Sequence, residues 1–177
     1  MRIPLFLLLF VGWFGFSAFA QEKNASETIQ WVSLEELEKK MATQPKRVFI
    51  DVYTDWCGWC KVMDRNTFSH PEVARYINKH FYAVKFNAES KDSVAFAGHR
   101  FGFMPEYKVN GLAVELLRGK MSYPSTVYID KDYGNAVAVP GYLKVPAIEQ
   151  ILKYIVEGHG EHTPFDQFTE SFQGSWE

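Results

Sequence analysis

The sequence predicts an α/β domain in which helices cover both faces of a mixed β-sheet. Apolar runs rich in β-branched and aromatic residues, among them Arg47–Tyr53, Phe81–Asn87 and Ser125–Ile129, alternate with segments whose apolar residues recur at helical spacing. Such alternation of strands and helices is typical of a layered α/β fold. A length of 177 residues is enough for one domain with its own core, and no internal repeat is visible.

The first 20 residues have the pattern of a secretory signal peptide. Arg2 provides a small positive region, Leu5–Phe16 is apolar, and Ala18-Phe19-Ala20 fits the small-residue rule for cleavage. The alternative is an uncleaved membrane anchor, although the apolar run is short for a span of about 20 residues. We therefore expect an exported, periplasmic protein, with residues 1–20 as signal peptide and residues 21–28 as a flexible N-terminus.

The first predicted elements lead to a turn that carries both cysteines of the chain. Ser33 has Glu36 three residues after it, which is the spacing of a capping box at the start of a helix. In order, the elements predicted here are an edge strand at Ile29–Val32, a helix from about Leu34, a strand at Arg47–Tyr53, and a helix from Cys57 to about Asn66 that Thr67-Phe68 breaks.

The middle of the chain is expected to hold another helix and an insertion. Ser69 and Glu72 again have capping-box spacing, so Ser69 is the predicted N-cap. The insertion covers about residues 90–109 and separates the strand Phe81–Asn87 from the next helix. Within it, Val94–Phe103 is predicted as a hairpin that turns at Gly98-His99.

The C-terminal part of the chain alternates helices and strands once more. Asn110 is expected to cap a helix over Gly111–Leu117, which ends at Gly119. The remaining predicted elements are strands at Ser125–Ile129 and Ala136–Pro140, a closing helix at Val145–Val156, and a tail at residues 159–177 with a short helix that carries Phe165, Phe168 and Phe172.

Cys57 and Cys60 are the only cysteines, and they stand three positions apart where a strand turns into a helix. The helix N-terminus favours a thiolate on Cys57, which we predict to be exposed, and Cys60 can close a disulfide with it. A structural zinc site needs four ligands, and no second cysteine pair exists. A structural disulfide is the other alternative, but closing so short a loop removes little chain entropy. Redox exchange explains the pair better.

The segment Trp56-Cys57-Gly58-Trp59-Cys60-Lys61 resembles the active site of the thioredoxin superfamily. The resemblance covers about residues 29–158 and implies a thioredoxin-like three-layer α/β/α fold, with the insertion before a cis-proline loop. Tyr53–Cys57 and Met63–Val73 are similar to the C-terminal periplasmic domain of DsbD and to exported thioredoxin-like proteins grouped with it. The chain differs in its insertion and in having Gly58-Trp59 between the cysteines.

The resemblance implies a catalytic set of Cys57, Cys60, Asp51 and Lys85. Cys57 would be the nucleophile, and Cys60 would resolve the mixed disulfide. Asp51 stands six residues before Cys57, where the family has a buried acid, and Lys85 stands where its lysine partner is found. Burial would raise the pKa of Asp51 and make the carboxyl a proton acceptor near neutral pH. The simpler alternatives are a strand-end polar residue for Asp51 and a solvent-facing residue for Lys85.

The resemblance also implies a surface for binding protein substrates. Tyr123-Pro124 matches the cis-proline loop, which would leave the backbone of Tyr123 free to pair with a substrate strand. Trp56 and Trp59, with Gly58 between the cysteines, would form an apolar rim around Cys57. Packing in the core is the alternative for the two tryptophans.

We expect an exported thiol–disulfide oxidoreductase that reduces protein disulfides, and an oxidase or isomerase is the alternative direction. No cofactor beyond the Cys57–Cys60 disulfide and no metal are expected. The expected partners are protein thiols and disulfides and a membrane or soluble electron donor, with the chain itself a monomer. A formal net charge of −2 gives no case for nucleic acid. Two other hypotheses remain: a binding module that docks partners on the insertion or on the tail Phe165–Phe172, and metal handling by the cysteines with a histidine.

Overall fold

A computed structural model describes residues 28–177, apart from the side chain of Glu161. The predicted signal peptide and nearly all of the predicted flexible N-terminus lie outside the described residues. Nine strands are described: β1 (Trp31–Val32), β2 (Arg47–Tyr53), β3 (Phe81–Asn87), β4 (Val94–Phe96), β5 (His99–Phe101), β6 (Phe103–Met104), β7 (Val109–Asn110), β8 (Ser125–Ile129) and β9 (Ala136–Pro140). The α-helices there are α1 (Leu34–Thr43), α2 (Gly58–Met63), α3 (Pro71–His80), α4 (Gly111–Leu117), α5 (Val145–Val156) and α6 (Phe165–Ser171).

Five of these strands form the central mixed sheet, in the order β1-β3-β2-β8-β9. Strands β1, β3 and β2 are parallel, whereas β8 runs antiparallel to β2, and β9 runs antiparallel to β8. The five residues Val48–Val52 of β2 are all buried, because this strand lies at the centre of the sheet. The expected mixed sheet is confirmed, and β2 has the bounds that the sequence predicted.

Helices cover both faces of the sheet, which gives the three-layer α/β/α thioredoxin fold. Leu37 of α1 and Leu112 of α4 belong to the core cluster that contains Ile50. Phe49, one residue earlier on β2, points to the opposite face and packs in a second cluster with residues of α3 and α5, such as Ile148. Asp51 follows the same alternation and shares the face of Phe49, which is the face that α2 covers through Met63.

The helix that begins at the dithiol turn is longer than predicted. A π-helix at Asp64–Phe68 continues α2, so the predicted break at Thr67-Phe68 is wrong. Tertiary contacts outweigh the local preference, since the Thr67 hydroxyl donates to the Leu143 carbonyl at 2.6 Å, and Phe68 packs edge-on against Phe49.

Ser69 is not the N-cap of α3. It still has helical dihedral angles and donates its hydroxyl to the Arg65 carbonyl in the preceding helix. The cap residue is His70, which makes no side-chain capping bond. The capping-box spacing of Ser69 and Glu72 was therefore misleading, because the π-helix extends the first helix up to Phe68.

The insertion forms two hairpins outside the central sheet. Strands β4 and β5 pair so that Phe96 faces His99, which places the turn at Ala97-Gly98 and not at the predicted Gly98-His99. Both turn residues have positive φ, as a tight two-residue hairpin turn requires. Strands β6 and β7 form a second hairpin that the sequence analysis did not predict.

The C-terminal tail packs against the domain. Phe168 and Trp176 are buried, and the Phe168 ring contacts Tyr154 of α5. The alternative hypothesis of a docking surface on Phe165–Phe172 does not hold at Phe168, because this ring is already covered by the chain itself. In residues 28–177 no helix is long and apolar enough to cross a membrane.

Candidate functional site

The dithiol turn is closed by a disulfide between Cys57 and Cys60, whose Cα atoms are 5.3 Å apart. Cys57 is the N-cap of α2, and its sulfur accepts a hydrogen bond from the Cys60 backbone N–H at 3.0 Å. The Cys57 N–H in turn donates to the Thr54 carbonyl at the end of β2. A donor aimed at Cys57 Sγ, at the positive end of a helix, stabilises negative charge on Cys57.

Both cysteines are nearly inaccessible in the disulfide form. Cys57 is 4% exposed and Cys60 is 3% exposed, so the expectation of an exposed Cys57 is wrong for this state. The bonded Cys60 sulfur and the Cys60 N–H occupy part of the surface that a free Cys57 thiol would present. Gly58 leaves the turn open between them, since a Cβ added there would meet nothing within 4 Å.

The two tryptophans beside the cysteines lie at the surface and not in the core. Trp56 is 66% exposed and Trp59 is 62% exposed. Trp56 packs edge-to-face on Tyr123 with 5.9 Å between ring centroids, and Trp59 packs against Tyr142 at 5.5 Å. Exposed indoles of this size next to a disulfide provide apolar area that a partner could cover.

Asp51 is a buried acid, only 1% exposed, on the face of the sheet that α2 covers. Its Oδ2 lies 3.4 Å from the Lys85 ammonium, while Oδ1 has no hydrogen-bond partner in the described structure. The two residues are register partners on β2 and β3. Burial raises the pKa of Asp51 to about 7, since the attraction of Lys85 offsets only part of the cost of burying the charge.

Asp64 is a third charged residue at this site, and the sequence analysis did not assign it. Lys85 Nζ donates to both carboxylate oxygens of Asp64, at 2.5 and 2.6 Å. Burial opposes the charge on Lys85, but the bonds to Asp64 and the charge of Asp51 outweigh it and hold the Lys85 pKa above its usual value. Lys85 is therefore not a solvent-facing residue. We call Asp51, Lys85 and Asp64 the carboxylate–lysine cluster.

The position of Asp64 relative to the dithiol follows from helix geometry. Asp64 stands four residues after Cys60, and its N–H donates to the Cys60 carbonyl, so the two side chains share one helix face. This spacing is the signal that could have identified Asp64 in the sequence. Through Lys85, it connects the face of Cys60 to the buried Asp51.

The loop before β8 lies beside the dithiol turn. The Tyr123–Pro124 peptide bond is cis, and the Pro124 carbonyl accepts a hydrogen bond from the Gly141 N–H at 2.8 Å. In the described part of the chain, the backbone N–H and C=O of Tyr123 form no hydrogen bond with another backbone group. The Trp56–Tyr123 ring contact holds this loop next to Cys57.

The side chains described here form no cluster of three or more His, Cys, Asp or Glu residues that could bind a metal ion. The groups that the site brings together are the Cys57–Cys60 pair and the carboxylate–lysine cluster. The structure brings Asp51 and Lys85 together, and it places Trp56 and Tyr123 side by side next to Cys57.

Comparison with solved structures identifies the same fold. The structure described as "DsbH Oxidoreductase" superposes with a TM-score of 0.52 at 19% identity, covering 75% of this chain and 88% of that one. A thioredoxin from Thermus thermophilus superposes with a TM-score of 0.55 at 15% identity, covering 76% of this chain and 96% of that one.

Among curated sequences, the thiol:disulfide interchange protein DsbD of Haemophilus ducreyi is 46% identical over 46 residues, which is 25% of this chain and 8% of DsbD. The chain matches a tenth or less of the length of its curated relatives. A model of the family Thioredox_DsbH, described as "Protein of unknown function, DUF255", matches residues 16–157. Because this match covers most of the chain, the protein belongs to that family and is a thioredoxin-like protein resembling DsbD.

Proposed function

We propose that this protein is an exported thiol–disulfide oxidoreductase that reduces disulfides in other proteins. The observation that carries the proposal is the Cys57–Cys60 disulfide at the start of a helix, with Cys57 Sγ accepting the Cys60 N–H. The disulfide is the oxidised product of the reaction, so no further cofactor is needed. The names of the DsbD and DsbH relatives, interchange protein and oxidoreductase, agree with this chemistry.

Reduction begins at Cys57. Its thiolate attacks one sulfur of the substrate disulfide, so that a bond forms between Cys57 Sγ and that sulfur while the substrate S–S bond breaks. The other substrate sulfur leaves with the electron pair of the broken bond and takes a proton from solvent. The Cys60 N–H, 3.0 Å from Cys57 Sγ, favours the thiolate that starts this step.

Cys60 completes the exchange. Its thiolate attacks Cys57 Sγ, the mixed disulfide breaks, and the substrate cysteine leaves as a thiolate that is then protonated. Two electrons have then moved from the Cys57–Cys60 pair to the substrate. Asp51 accepts the proton that Cys60 must lose, because its pKa of about 7 makes the carboxyl an effective acceptor near neutral pH. Lys85 tunes that pKa through its contact with Asp51.

The charge of the carboxylate–lysine cluster supports reduction as the direction. When Asp51 is ionised, two carboxylates face the single Lys85 ammonium, so the cluster carries a net negative charge, and its Asp64 lies one helical turn after Cys60. Negative charge raises the pKa of a thiol and disfavours the reduced, thiolate-bearing form. Strong oxidants are stabilised in their reduced form instead.

Substrate proteins would approach across Trp56, Trp59 and the open Gly58, and would pair with the free backbone of Tyr123 before Pro124. The proposed partners are thus protein disulfides, together with a membrane or soluble protein dithiol that returns two electrons to Cys57–Cys60. We place the reaction in the periplasm, where protein disulfides persist, and we propose a monomer as the active form.

A matched pair of variants tests the assignment of the two cysteines. Reduction of insulin should be lost in both Cys57→Ser and Cys60→Ser. Only Cys60→Ser should accumulate a covalent mixed disulfide with the substrate, visible by mass spectrometry without reductant, because it retains the attacking thiol and lacks the resolving one. Full insulin reduction by Cys57→Ser would contradict the proposal, and a trapped complex in Cys57→Ser alone would reverse the two roles.

A further inference from the structure

An apolar groove of about 680 Å³ lies beside the dithiol turn. Trp56 and Tyr123, which are in contact with each other, line it together with Tyr107 and Lys108 from the loop between β6 and β7. Met121 lines it as well. The groove is within the size range of clefts that bind organic ligands, which is about 300–1,000 Å³. The insertion therefore contributes side chains to a cleft that residues of the redox site also line.

The lining of the groove is apolar and open to solvent. Trp56 and Tyr107 are each 66% exposed, and Met121 is 36% exposed. Large apolar side chains rarely cluster on an exposed surface that binds no partner, so this cluster indicates a binding site. The backbone of Tyr107 is fixed within the hairpin, since its N–H donates to the Met104 carbonyl at 3.1 Å.

Two charged residues, Glu89 and Lys108, line the groove. Glu89 lines the groove on the side of Trp56 and accepts a hydrogen bond from the Trp56 indole N–H at 2.9 Å. Its charge also acts on Tyr123, whose hydroxyl is buried without a hydrogen-bond partner in the described structure. The part of the groove beside Trp56 is thus complementary to a positively charged group or a hydrogen-bond donor, whereas Lys108 supplies a positive charge from the insertion.

We propose that this groove is a specificity pocket for one large apolar side chain of an extended substrate polypeptide, with a positively charged residue beside it facing Glu89. The inference rests on the proposed function, because the groove adjoins the site of exchange: Trp56 directly precedes Cys57, and Tyr123 offers unpaired backbone groups. A chain paired with Tyr123 places alternate side chains on one side, where the groove lies. Tyr107 is then a specificity residue outside the redox machinery.

The test measures binding with no redox step, so its outcome is independent of the reductase assignment. The probe is a fluorescein-labelled, cysteine-free octapeptide in which a central Trp and a Lys stand two positions apart among Thr, Ser and Gly residues, so that both side chains face the groove. This Trp-Lys peptide is titrated with the oxidised protein and followed by anisotropy. Replacing Trp by Ser in the peptide should weaken binding by about tenfold or more, as burial of a large apolar side chain predicts. Replacing Lys by Glu should weaken it by about threefold or more, since the new charge faces Glu89.

Variants of the protein locate the contact. Tyr107→Ala should weaken binding of the Trp-Lys peptide by about tenfold and leave the Ser-Lys peptide nearly unaffected. Phe165→Ala is the matched control, because Phe165 is an exposed aromatic side chain, 41% accessible, in α6 and away from the groove. The Phe165→Ala variant should bind both peptides as the wild type does.

Three results would overturn the inference. The first is the absence of measurable binding at about 1 mM protein, since a dissociation constant of about 1 mM corresponds to a binding free energy of about −4 kcal/mol. The second is equal affinity for the Trp-Lys and Ser-Lys peptides, or an affinity that Tyr107→Ala does not change. The third is a wild-type dimer in sedimentation velocity that Tyr107→Ala dissociates, since a second copy of the chain would then be the occupant. If the wild-type protein binds the Trp-Lys peptide but does not reduce insulin, only the proposed function is refuted.

Discussion

At the scale of single residues, Asp51 combines an energetic cost to the fold with a chemical use at the site. Its carboxyl is 1% exposed, and one of its oxygens has no hydrogen-bond partner. Lys85 lies 3.4 Å away but makes its short bonds to Asp64. A charge buried with so little compensation costs stability, and the same burial gives the carboxyl a pKa of about 7, suited to accepting a proton.

The first prediction concerns Asp51→Asn. Because the folded-state pKa of Asp51 is raised from 3.8 to about 7, the folded protein holds this proton more tightly than the unfolded chain does. The free energy of unfolding therefore falls as the pH rises from 3.8 to about 7, and the penalty is complete above that range. Asp51→Asn should raise the free energy of unfolding at pH 8 by roughly 2 kcal/mol, with the difference shrinking towards pH 4.

Urea denaturation of both proteins at about pH 4 and about pH 8 measures this difference. Asp55→Asn is the control for loss of one negative charge near the dithiol, because Asp55 is exposed. An Asp51→Asn protein no more stable than the wild type at the higher pH would show that Asp51 is not buried as a charge. The rate of insulin reduction by the Asp51→Asn variant should also stay constant between about pH 6 and about pH 8, since the proton acceptor is gone.

The residues of the site differ in how readily the sequence reveals them. Asp51 and Lys85 could be proposed through the family resemblance, Asp51 from its spacing before Cys57 and Lys85 from its match to the family's lysine position. Asp64 could not be placed with Lys85 in the same way. The two are 21 residues apart on different elements, and only the packing of α2 over the sheet brings them together.

At the scale of elements, a buried carboxylate of α5 binds the backbone of the last residues of the chain. Glu149 is fully buried and accepts hydrogen bonds from the backbone N–H groups of Ser175 and Trp176, each at 3.0 Å. It also pairs with Lys153 at 2.8 Å. Burial disfavours the charge on Glu149, but these partners outweigh it and hold its pKa below the usual value. The charge therefore stabilises the fold above the ordinary glutamate pKa, and that stabilisation is lost on acidification.

The second prediction is that Glu149→Gln loosens this segment. The change removes the buried charge from two backbone donors and from Lys153, so the free energy of unfolding at pH 7 should fall by about 2–3 kcal/mol. The amides of Ser175 and Trp176 should exchange with deuterium faster than in the wild type. Glu157→Gln is the matched control, since Glu157 lies at the exposed end of the same helix. Unchanged exchange at both amides would contradict the prediction.

Element boundaries were predictable where local pattern and packing agree. Strand β8 and helix α5 have the predicted bounds because apolar periodicity and the buried face coincide there. The π-helix at Asp64–Phe68 was missed because Thr67 and Phe68 have low helix propensity, and only contacts with distant residues such as Leu143 hold them in a helix. Tertiary packing decided the outcome there.

At the scale of the whole molecule, the alternation of strands and helices predicted the three-layer fold, but it could not predict how the insertion is used. The hairpin of β6 and β7 depends on Asn110, whose amide group donates to the carbonyls of Ser90 and Asp92 while its oxygen caps α4. The side chain of Asn110 thus joins the loop at Ser90 and Asp92 to the start of α4. The pattern of the sequence shows the capping role and not the other two bonds, because those partners lie about 20 residues away in an irregular loop.

The third prediction links the stability of the whole molecule to the direction of electron flow. Reduction of Cys57–Cys60 opens a loop of four residues, and the chain-entropy model gives such a loop about 2 kcal/mol of stabilisation. The negative carboxylate–lysine cluster beside Cys60 adds to the preference for the oxidised form. By a thermodynamic cycle, a folded protein that is more stable when oxidised has a lower reduction potential than its unfolded chain. Each 1.4 kcal/mol of extra stability in the oxidised form lowers that potential by about 30 mV.

The oxidised protein should therefore melt about 4–8 °C above the reduced protein, since about 1 kcal/mol shifts the melting temperature of a domain of this size by about 2–4 °C. Thermal denaturation followed by circular dichroism, with and without an excess of dithiol, measures the difference. The double variant Cys57→Ser/Cys60→Ser is the control and should melt at one temperature in both buffers.

A glutathione titration should then give a reduction potential for the Cys57–Cys60 pair at or below about −230 mV, on the side of thioredoxin. A reduced form that melts higher, with a potential above about −150 mV, would make the protein an oxidant, because strong oxidants owe their potential to a stabilised reduced state.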